Sequence, residues 1–220
     1  MNLYYIPISP PCWTVQLLSL QLGITLNLKE IDYDAGEHLK EDFLKINPAH
    51  AVPTLVDGDD YSLPESRAIM VYLMELKAAN ICGEHPLYPK DAKMRGLIHS
   101  RLDFDLGMLY SRFYTYCSPL WDSESLDRTE KNREKVQEAL GILEAFLTKT
   151  RYVAADYLTI ADISVFVSVT SLDFCSFDRV KYVKVAAWYD TCKKELVGYK
   201  DVIEKISPVF KEFLAQSQQN

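Results

Sequence analysis

The hydrophobic pattern of this chain changes once along its 220 residues, and that change limits the folds it can adopt. Over residues 1–77, short apolar or alternating runs that are typical of strands are interleaved with helical spacing, in the order βαβαββα. From about residue 89 onward only helical spacing remains, and residues 162–174 are apolar on nearly every side. We therefore expect an α/β domain with a small mixed sheet, followed by an all-α helical bundle.

A segment with glycine and proline separates the two patterns. Residues 78–89 contain Gly83, Pro86 and Pro89, and such residues are typical of linkers. We predict an N-terminal domain over residues 1–80, a linker over residues 81–88 and a helical domain over residues 89–220. Because 48% of the residues are hydrophobic, the chain can bury a core in both domains.

Charge and cysteine usage argue against several kinds of partner. A net charge of −7 disfavours electrostatic binding to nucleic acid or to an anionic membrane. The sequence has no apolar run that could cross a bilayer, no basic and apolar secretory leader, and no metal-ligand spacing. The cysteines are odd in number and scattered, which favours reduced thiols in a cytoplasmic protein; they are Cys12, Cys82, Cys117, Cys175 and Cys192.

The sequence Ser9-Pro10-Pro11-Cys12 joins the first predicted strand to the first predicted helix. In a thioredoxin-like fold, a Cys-x-x-Cys at this junction is a redox site, and here Ser9 occupies the position of its first cysteine. A hydroxyl cannot form a disulfide, but it can donate a hydrogen bond to the thiolate of a ligand. The junction therefore predicts a site that receives a sulfur atom.

Pro53 stands at the start of a predicted strand, directly after Val52. One interpretation is an ordinary trans proline that begins the strand. The other is a cis Val52-Pro53 bond that turns the backbone of Val52 toward an extended peptide ligand. The trans form is far commoner, so the residues by themselves favour it.

The next predicted helix begins with Glu65, Ser66 and Arg67 after a proline. A helix start attracts anions, and these side chains can bind an ammonium group, donate a hydroxyl and pair with a carboxylate. Ordinary capping explains the same residues equally well. His38 and His50 lie near loops in the same half of the chain, where exposed polar residues are the simplest interpretation.

An aromatic stripe follows in the helical half. Tyr110, Phe113, Tyr114 and Cys117 are spaced i, i+3, i+4 and i+7, so they share one helix face. Such a stripe is more often core than pocket, although tyrosine also suits a wall that meets a ligand. Further along, Thr159-Ile160-Ala161-Asp162 predicts a structural capping box.

Together these segments resemble the cytosolic glutathione transferases, most closely the arthropod delta/epsilon classes, over nearly the whole chain. The segments that match in order and spacing are residues 9–12, 36–40, 43–55, 65–69, 87–89, 101–105 and 158–162. The resemblance implies a thioredoxin-like domain that binds glutathione, a helical domain that lines the pocket of a hydrophobic electrophile, and a homodimer active in detoxification. It implies glutathione as co-substrate and no metal.

The resemblance also implies roles for individual residues. Ser9 donates its hydroxyl to the glutathione sulfur, while Cys12 packs the core. The other glutathione-binding residues are His38, His50, Val52, Pro53, Glu65, Ser66 and Arg67. The two histidines reach the glycine end, the backbone before a cis proline pairs with the cysteine, and the three residues at the helix start hold the γ-glutamyl end.

The electrophile pocket follows from the same resemblance. Its implied lining is Pro11, Tyr110, Phe113, Tyr114, Cys117 and Phe210, and polar support comes from Arg101 and Asp105. The chain departs from the family at Trp13, where arginine is usual, at Pro64, where an aromatic residue or glycine is common, and at Ala155, where glycine is usual.

Two other functions remain open. One is a binding protein of the same fold that carries an apolar ligand with little or no turnover; the aromatic stripe and the lost charge at Trp13 permit this. The other is a thiol oxidoreductase that uses Cys12, which is weaker because Ser9 leaves no paired cysteine.

Overall fold

A computed structural model describes residues 1–80, 83–120 and 129–217. Its N-terminal part contains β1 (Asn2–Tyr5), α1 (Pro10–Leu22), β2 (Asn27–Glu30), α2 (Glu41–Ile46), β3 (Thr54–Asp57), β4 (Tyr61–Pro64) and α3 (Ser66–Asn80). The predicted order βαβαββα is confirmed. The domain limits stay a prediction, since part of the linker and Cys82 lie outside the described residues.

The four strands form one mixed sheet in the order β2-β1-β3-β4. β1 runs parallel to β2 and antiparallel to β3, which is antiparallel to β4. Leu3 and Leu55 face each other across β1 and β3 and are fully buried. The alternation of apolar and polar residues over 26–31 predicts a half-buried strand. This prediction is wrong for β2, an edge strand whose four residues are all exposed.

One helical stretch of the N-terminal part differs from its prediction, and α1 has well-defined ends. The apolar positions of residues 38–46 have helical spacing, which predicts one helix. The structure divides this stretch into a 3₁₀ turn, Glu37–Leu39, and α2. α1 begins with Pro10 at its first position, where the missing N–H costs nothing. It ends at Gly23, whose φ of 66° is the left-handed conformation that closes a helix.

From Ala92 onward, the described residues form helices that are joined by turns and loops. They include α4 (Ala92–Phe104), α5 (Ser111–Cys117), α6 (Glu130–Lys149), α7 (Ile160–Phe174), α8 (Val183–Glu195) and α9 (Lys205–Ser217). The helical spacing of apolar residues over 92–117 predicts one continuous helix. In the structure a π-helical segment, Asp105–Tyr110, joins α4 to α5. Pro119 lies in the 3₁₀ turn that follows α5, and a second π-helical segment, Lys200–Glu204, precedes α9.

α7 forms the centre of the helical part and also packs against α1. Its first thirteen residues are buried, as the apolar pattern predicts. The capping box of Thr159 and Asp162 is present, with both reciprocal hydrogen bonds formed. Among the helices of the described ranges, none combines the length and apolar character needed to span a membrane.

Candidate functional site

A cavity of about 990 Å³ lies where the β1–α1 loop, the segment after β2 and the helical part meet. Its described lining is Ile6, Pro7, Ile8, Ser9, Pro10, Glu30, Ile31, Asp32, Tyr33, Asp34, Glu37, Tyr110, Phe113, Tyr114, Phe210 and Phe213. The size suits a small organic ligand. The aromatic lining from the helical part is Tyr110, Phe113, Tyr114, Phe210 and Phe213.

Ser9 lies at the N-cap of α1, at the edge of this cavity. Its backbone closes the turn: its N–H donates to the Ile6 carbonyl at 3.1 Å, and its carbonyl accepts from Cys12 at 3.0 Å. The hydroxyl makes no capping bond to the helix. Since α1 directs the positive end of its dipole here, the position favours an anion near the Ser9 side chain.

Cys12 follows one turn later but is fully buried. Burial raises the pKa of its thiol to about 12, although hydrogen bonds from the Ser9 side chain and the Ile6 backbone oppose the shift. A thiol with this pKa stays protonated at neutral pH and is a poor nucleophile. The described part of the chain has Cys12, Cys117, Cys175 and Cys192 as buried free thiols.

The Val52-Pro53 peptide bond is cis, so the trans form favoured by the residues is wrong and the form implied by the resemblance is correct. The loop before it is held by Asn47, a buried residue. The Asn47 amide donates to the Ala51 carbonyl at 3.0 Å and to Thr54 Oγ1 at 2.9 Å. The sequence analysis did not identify this role of Asn47. The one local signal for it is that Asn47, a polar residue, directly precedes Pro48.

The histidines occupy different environments. His38 is buried and stacks on Tyr33, with ring centroids 3.9 Å apart, so the exposed interpretation is wrong for this residue. His50 is exposed, and its ring centroid lies 6.3 Å from that of His38. His38 Nδ1 is buried without a hydrogen-bond partner among the described residues.

The start of α3 has an unusual backbone. Glu65, which is exposed, has a φ of 72°, in the left-handed region that costs a residue with a side chain roughly 1–2 kcal/mol. Its carbonyl accepts the N–H of Ile69 at 2.9 Å. Ser66 begins the helix and is buried.

Arg67 pairs with the helical part of the molecule. Its Nη2 lies 2.5 Å from Asp105 Oδ2, which also accepts the Ser164 hydroxyl at 2.5 Å. Asp105 is fully buried, and Arg67 Nε and Asp105 Oδ1 lack partners within the described ranges. Arg101 instead donates to the Val153 carbonyl at 2.8 Å.

The aromatic stripe is divided between pocket and core. Tyr110, Phe113 and Tyr114 line the cavity, as does Phe210. Cys117 is fully buried and, in the described lining, Pro10 is present while Pro11 and Cys117 are not. Burial raises the pKa of Tyr110, so its hydroxyl stays protonated.

Sequence reasoning missed the acidic side of the cavity, formed by Glu30, Asp32, Asp34 and Glu37. Part of this charge is used internally: Glu30 accepts from the Tyr5 hydroxyl at 3.3 Å, and Glu37 accepts the backbone N–H of Asp32 at 2.9 Å. Within the described ranges, no three histidine, cysteine or acidic side chains are grouped so that they could hold a metal ion.

Two family models match the chain. Residues 3–80 match the glutathione S-transferase N-terminal domain, and residues 126–191 match the glutathione S-transferase C-terminal domain. The chain is 42% identical to "Glutathione S-transferase D7" of Anopheles gambiae over 207 residues, which are 92% of this chain and 91% of that protein.

Solved structures agree with this match. A delta-class glutathione transferase of Nilaparvata lugens has a TM-score of 0.89 and 36% identity, with 98% of this chain and 99% of that chain covered. An epsilon-class glutathione S-transferase of the housefly, Musca domestica, has a TM-score of 0.86 and 31% identity, with 98% and 97% covered. With both domains, the strand order and the sequence in agreement, the chain belongs to the glutathione S-transferase family, is a glutathione S-transferase enzyme, and resembles the insect delta and epsilon classes.

Proposed function

We propose that this enzyme conjugates glutathione to hydrophobic electrophiles, and that Ser9 donates a hydrogen bond to the glutathione thiolate. The observation that carries the proposal is the position of Ser9, which lines the cavity at the N-terminal end of α1 with a hydroxyl that caps nothing. Because burial keeps the Cys12 thiol beside it protonated, a thiolate at this position would be that of the ligand.

The energy required is within the reach of these groups. A thiol with a pKa of about 8.5 is only a few per cent ionised at neutral pH. Lowering that pKa by about two units requires about 2.7 kcal/mol in favour of the thiolate. One hydrogen bond to a charged group supplies about 1.5–3 kcal/mol, and a helix N-terminus adds about 0.3–1 kcal/mol. Ser9 and α1 are therefore sufficient without a residue that acts as a base.

The rest of the glutathione site is proposed from the family pattern alone. The described cavity lining does not include the predicted residues His38, His50, Val52, Pro53, Glu65, Ser66 and Arg67. His38, His50 and the Val52 backbone would hold the glycine and cysteine parts of the tripeptide. Glu65 and Ser66 would hold the γ-glutamyl end. Arg67 would contribute through the exposed part of its side chain, since its Nε is buried and its Nη2 is engaged by Asp105.

The second substrate would bind against the aromatic wall. Tyr110, Phe113, Tyr114 and Phe210 supply apolar area with few polar groups, which suits a hydrophobic electrophile. Pro11 and Cys117 would shape this wall from behind, and Arg101 would support the helical domain. We further propose that the enzyme is cytoplasmic and that it is a homodimer. Light scattering would test the dimer through its mass in solution.

Ser9→Ala tests the mechanism. We expect the pKa of enzyme-bound glutathione to rise by about 1–2 units and conjugation at neutral pH to fall by about tenfold to a hundredfold. Glutathione affinity should stay nearly unchanged, because Ser9 is expected to contact only the sulfur. The measurements are the ultraviolet absorbance of the thiolate against pH and the pH–rate profile with a general aromatic electrophile.

The matched control is Ser19→Ala, at the other end of the same helix. Ser19 is buried and bonds the Gln16 carbonyl at 2.8 Å, away from the cavity. It should leave the pH–rate profile in place. An unchanged profile in Ser9→Ala would contradict the proposed role of Ser9.

A second candidate is an apolar-ligand carrier, which the aromatic wall of the cavity also suits. The carrier predicts glutathione binding and apolar-ligand binding without turnover across a panel of electrophiles. Conjugation, peroxide reduction, isomerisation and halide elimination all begin from the same thiolate, so the panel should sample each. Turnover with any of them supports the enzyme.

A further inference from the structure

Trp13 lies behind the cavity, in the first turn of α1. Only 1% of its surface is exposed, and it is absent from the described cavity lining. Its backbone N–H donates to the Ser9 carbonyl at 3.2 Å, so it is fixed to the same turn as Ser9. A side chain this large, buried beside the cavity, packs against the residues behind the cavity walls.

The indole N–H of Trp13 is directed to one wall. Nε1 donates to the Pro7 carbonyl at 2.5 Å. Pro7 lines the cavity, two residues before Ser9. A buried indole N–H needs a partner, and this partner lies on the loop that carries Ser9. The hydrogen bond therefore holds the loop wall against α1.

The ring of Trp13 is directed to the other wall. It makes edge-to-face contacts with Phe174 of α7 and Phe210 of α9, with centroids 5.8 and 5.9 Å apart. Phe174 and Phe210 also touch, at 5.3 Å, and Phe210 contacts Phe213 at 6.1 Å. Phe210 and Phe213 line the cavity, although Phe210 is only 3% exposed.

Phe210 thus presents little surface to the cavity and most of its surface to the rings behind it. Its position is set by packing against Trp13 and Phe174, because edge-to-face pairs have a preferred geometry. We infer that Trp13 is a positioning residue for the electrophile: it joins the loop wall at Pro7 to the α9 wall at Phe210 and so sets the shape of the apolar pocket. The inference rests on the proposed function.

The test compares two ligands that share the tripeptide. Glutathione and S-hexylglutathione are titrated calorimetrically into the wild type, Trp13→Phe and Trp13→Leu. The ratio of the two dissociation constants isolates the gain in affinity from the apolar tail. For Trp13→Leu we expect that gain to fall about tenfold, with the dissociation constant of glutathione within about twofold of wild type. Trp13→Phe keeps a ring and should retain most of the gain.

Phe210→Leu provides a second route to the same result. It removes the ring that Trp13 positions and should reduce the tail's gain to a similar extent. In the double variant Trp13→Leu/Phe210→Leu, the loss of affinity gained from the apolar tail should be smaller than the sum of the two single losses in free energy. The reason is that both residues act on one wall of the cavity. If Trp13→Leu fails to fold, Trp13→Met, which fills the volume without a ring, replaces it.

The matched control is Phe177→Leu, which removes another edge-to-face pair, with Tyr116 at 5.6 Å. Neither ring is in the described cavity lining, so the ratio should not change. The inference is wrong if folded Trp13 variants keep the full gain, if both ligands weaken equally, or if Phe177→Leu gives the same loss. A wild type that binds neither ligand removes the proposed function itself, and the inference with it.

Discussion

Ser9 and Cys12 are separated by one helical turn, and their surroundings give them opposite chemical properties. Ser9 lines the cavity, whereas Cys12 is fully buried beneath it. Because burial raises the pKa of Cys12 to about 12, its thiol is protonated and a poor nucleophile at neutral pH. The cavity edge at Ser9 therefore favours a thiolate that comes from a ligand and lies next to the Ser9 hydroxyl.

Cys12→Ala separates the transferase from an oxidoreductase. We expect conjugation to stay within about twofold of wild type, because a thiol is only a weak hydrogen-bond donor. Stability should fall by about 1 kcal/mol from the small cavity left behind. Conjugation rates and urea unfolding measure both, with Ser9→Ala assayed alongside. Loss of activity in Cys12→Ala together with normal activity in Ser9→Ala would favour the oxidoreductase.

At the scale of elements, a buried carboxylate with four hydrogen-bond donors marks the start of α7. Asp162 is fully buried and accepts four hydrogen bonds: from the Thr159 N–H and hydroxyl, from the Val153 N–H at 2.9 Å and from Trp188 Nε1 at 3.0 Å. Burial raises the pKa of Asp162 to about 6, against these four donors. The carboxyl is therefore ionised at neutral pH, and it joins α7, α8 and the preceding turn.

Asp162→Asn should destabilise the protein by about 2–4 kcal/mol, because the amide NH₂ would face donors and leave them unpaired. The free energy of urea unfolding measures this. The control is Asp156→Asn, an exposed residue whose carboxylate accepts the Arg151 N–H at 3.0 Å. It should cost less than about 1 kcal/mol. Equal losses in the two variants would contradict the importance of the buried cap.

At the scale of the whole molecule, Arg67 connects the two parts of the chain. Arg67 is the second residue of α3 and belongs to the proposed γ-glutamyl site. Its side chain pairs with Asp105 in the π-helical segment after α4. Ser164 of α7 binds the same carboxylate oxygen. This buried cluster therefore holds α3 against the π-helical segment and α7.

Asp105→Ala would leave the Arg67 guanidinium buried without its partner. We expect a loss of about 3–5 kcal/mol in unfolding free energy and a higher KM for glutathione. Glu138→Ala, which breaks the exposed pair of Glu138 with Arg112, should cost about 0–1 kcal/mol and leave that KM unchanged. If the two variants behave alike, Arg67 and Asp105 do not couple the two parts.

Much of the fold could be predicted because its signals are local. Proline and glycine mark the ends of α1, and Thr159 and Asp162 mark the start of α7. The order of strands and helices along the N-terminal part follows from its apolar runs. The π-helical segments could not be predicted, because the residues of Asp105–Tyr110 have ordinary helical spacing and only the packing selects the wider turn.

The candidate site divides in the same way. The sequence by itself determined Ser9 at the strand–helix junction, the aromatic stripe and the cluster at the start of α3, since each is a short pattern on one element. The tertiary structure decided that His38 is buried against Tyr33, that Phe113 reaches the cavity while Cys117 does not, and that Trp13 contacts Phe210. These contacts depend on how the elements pack, and no local pattern records which partners that packing will bring together.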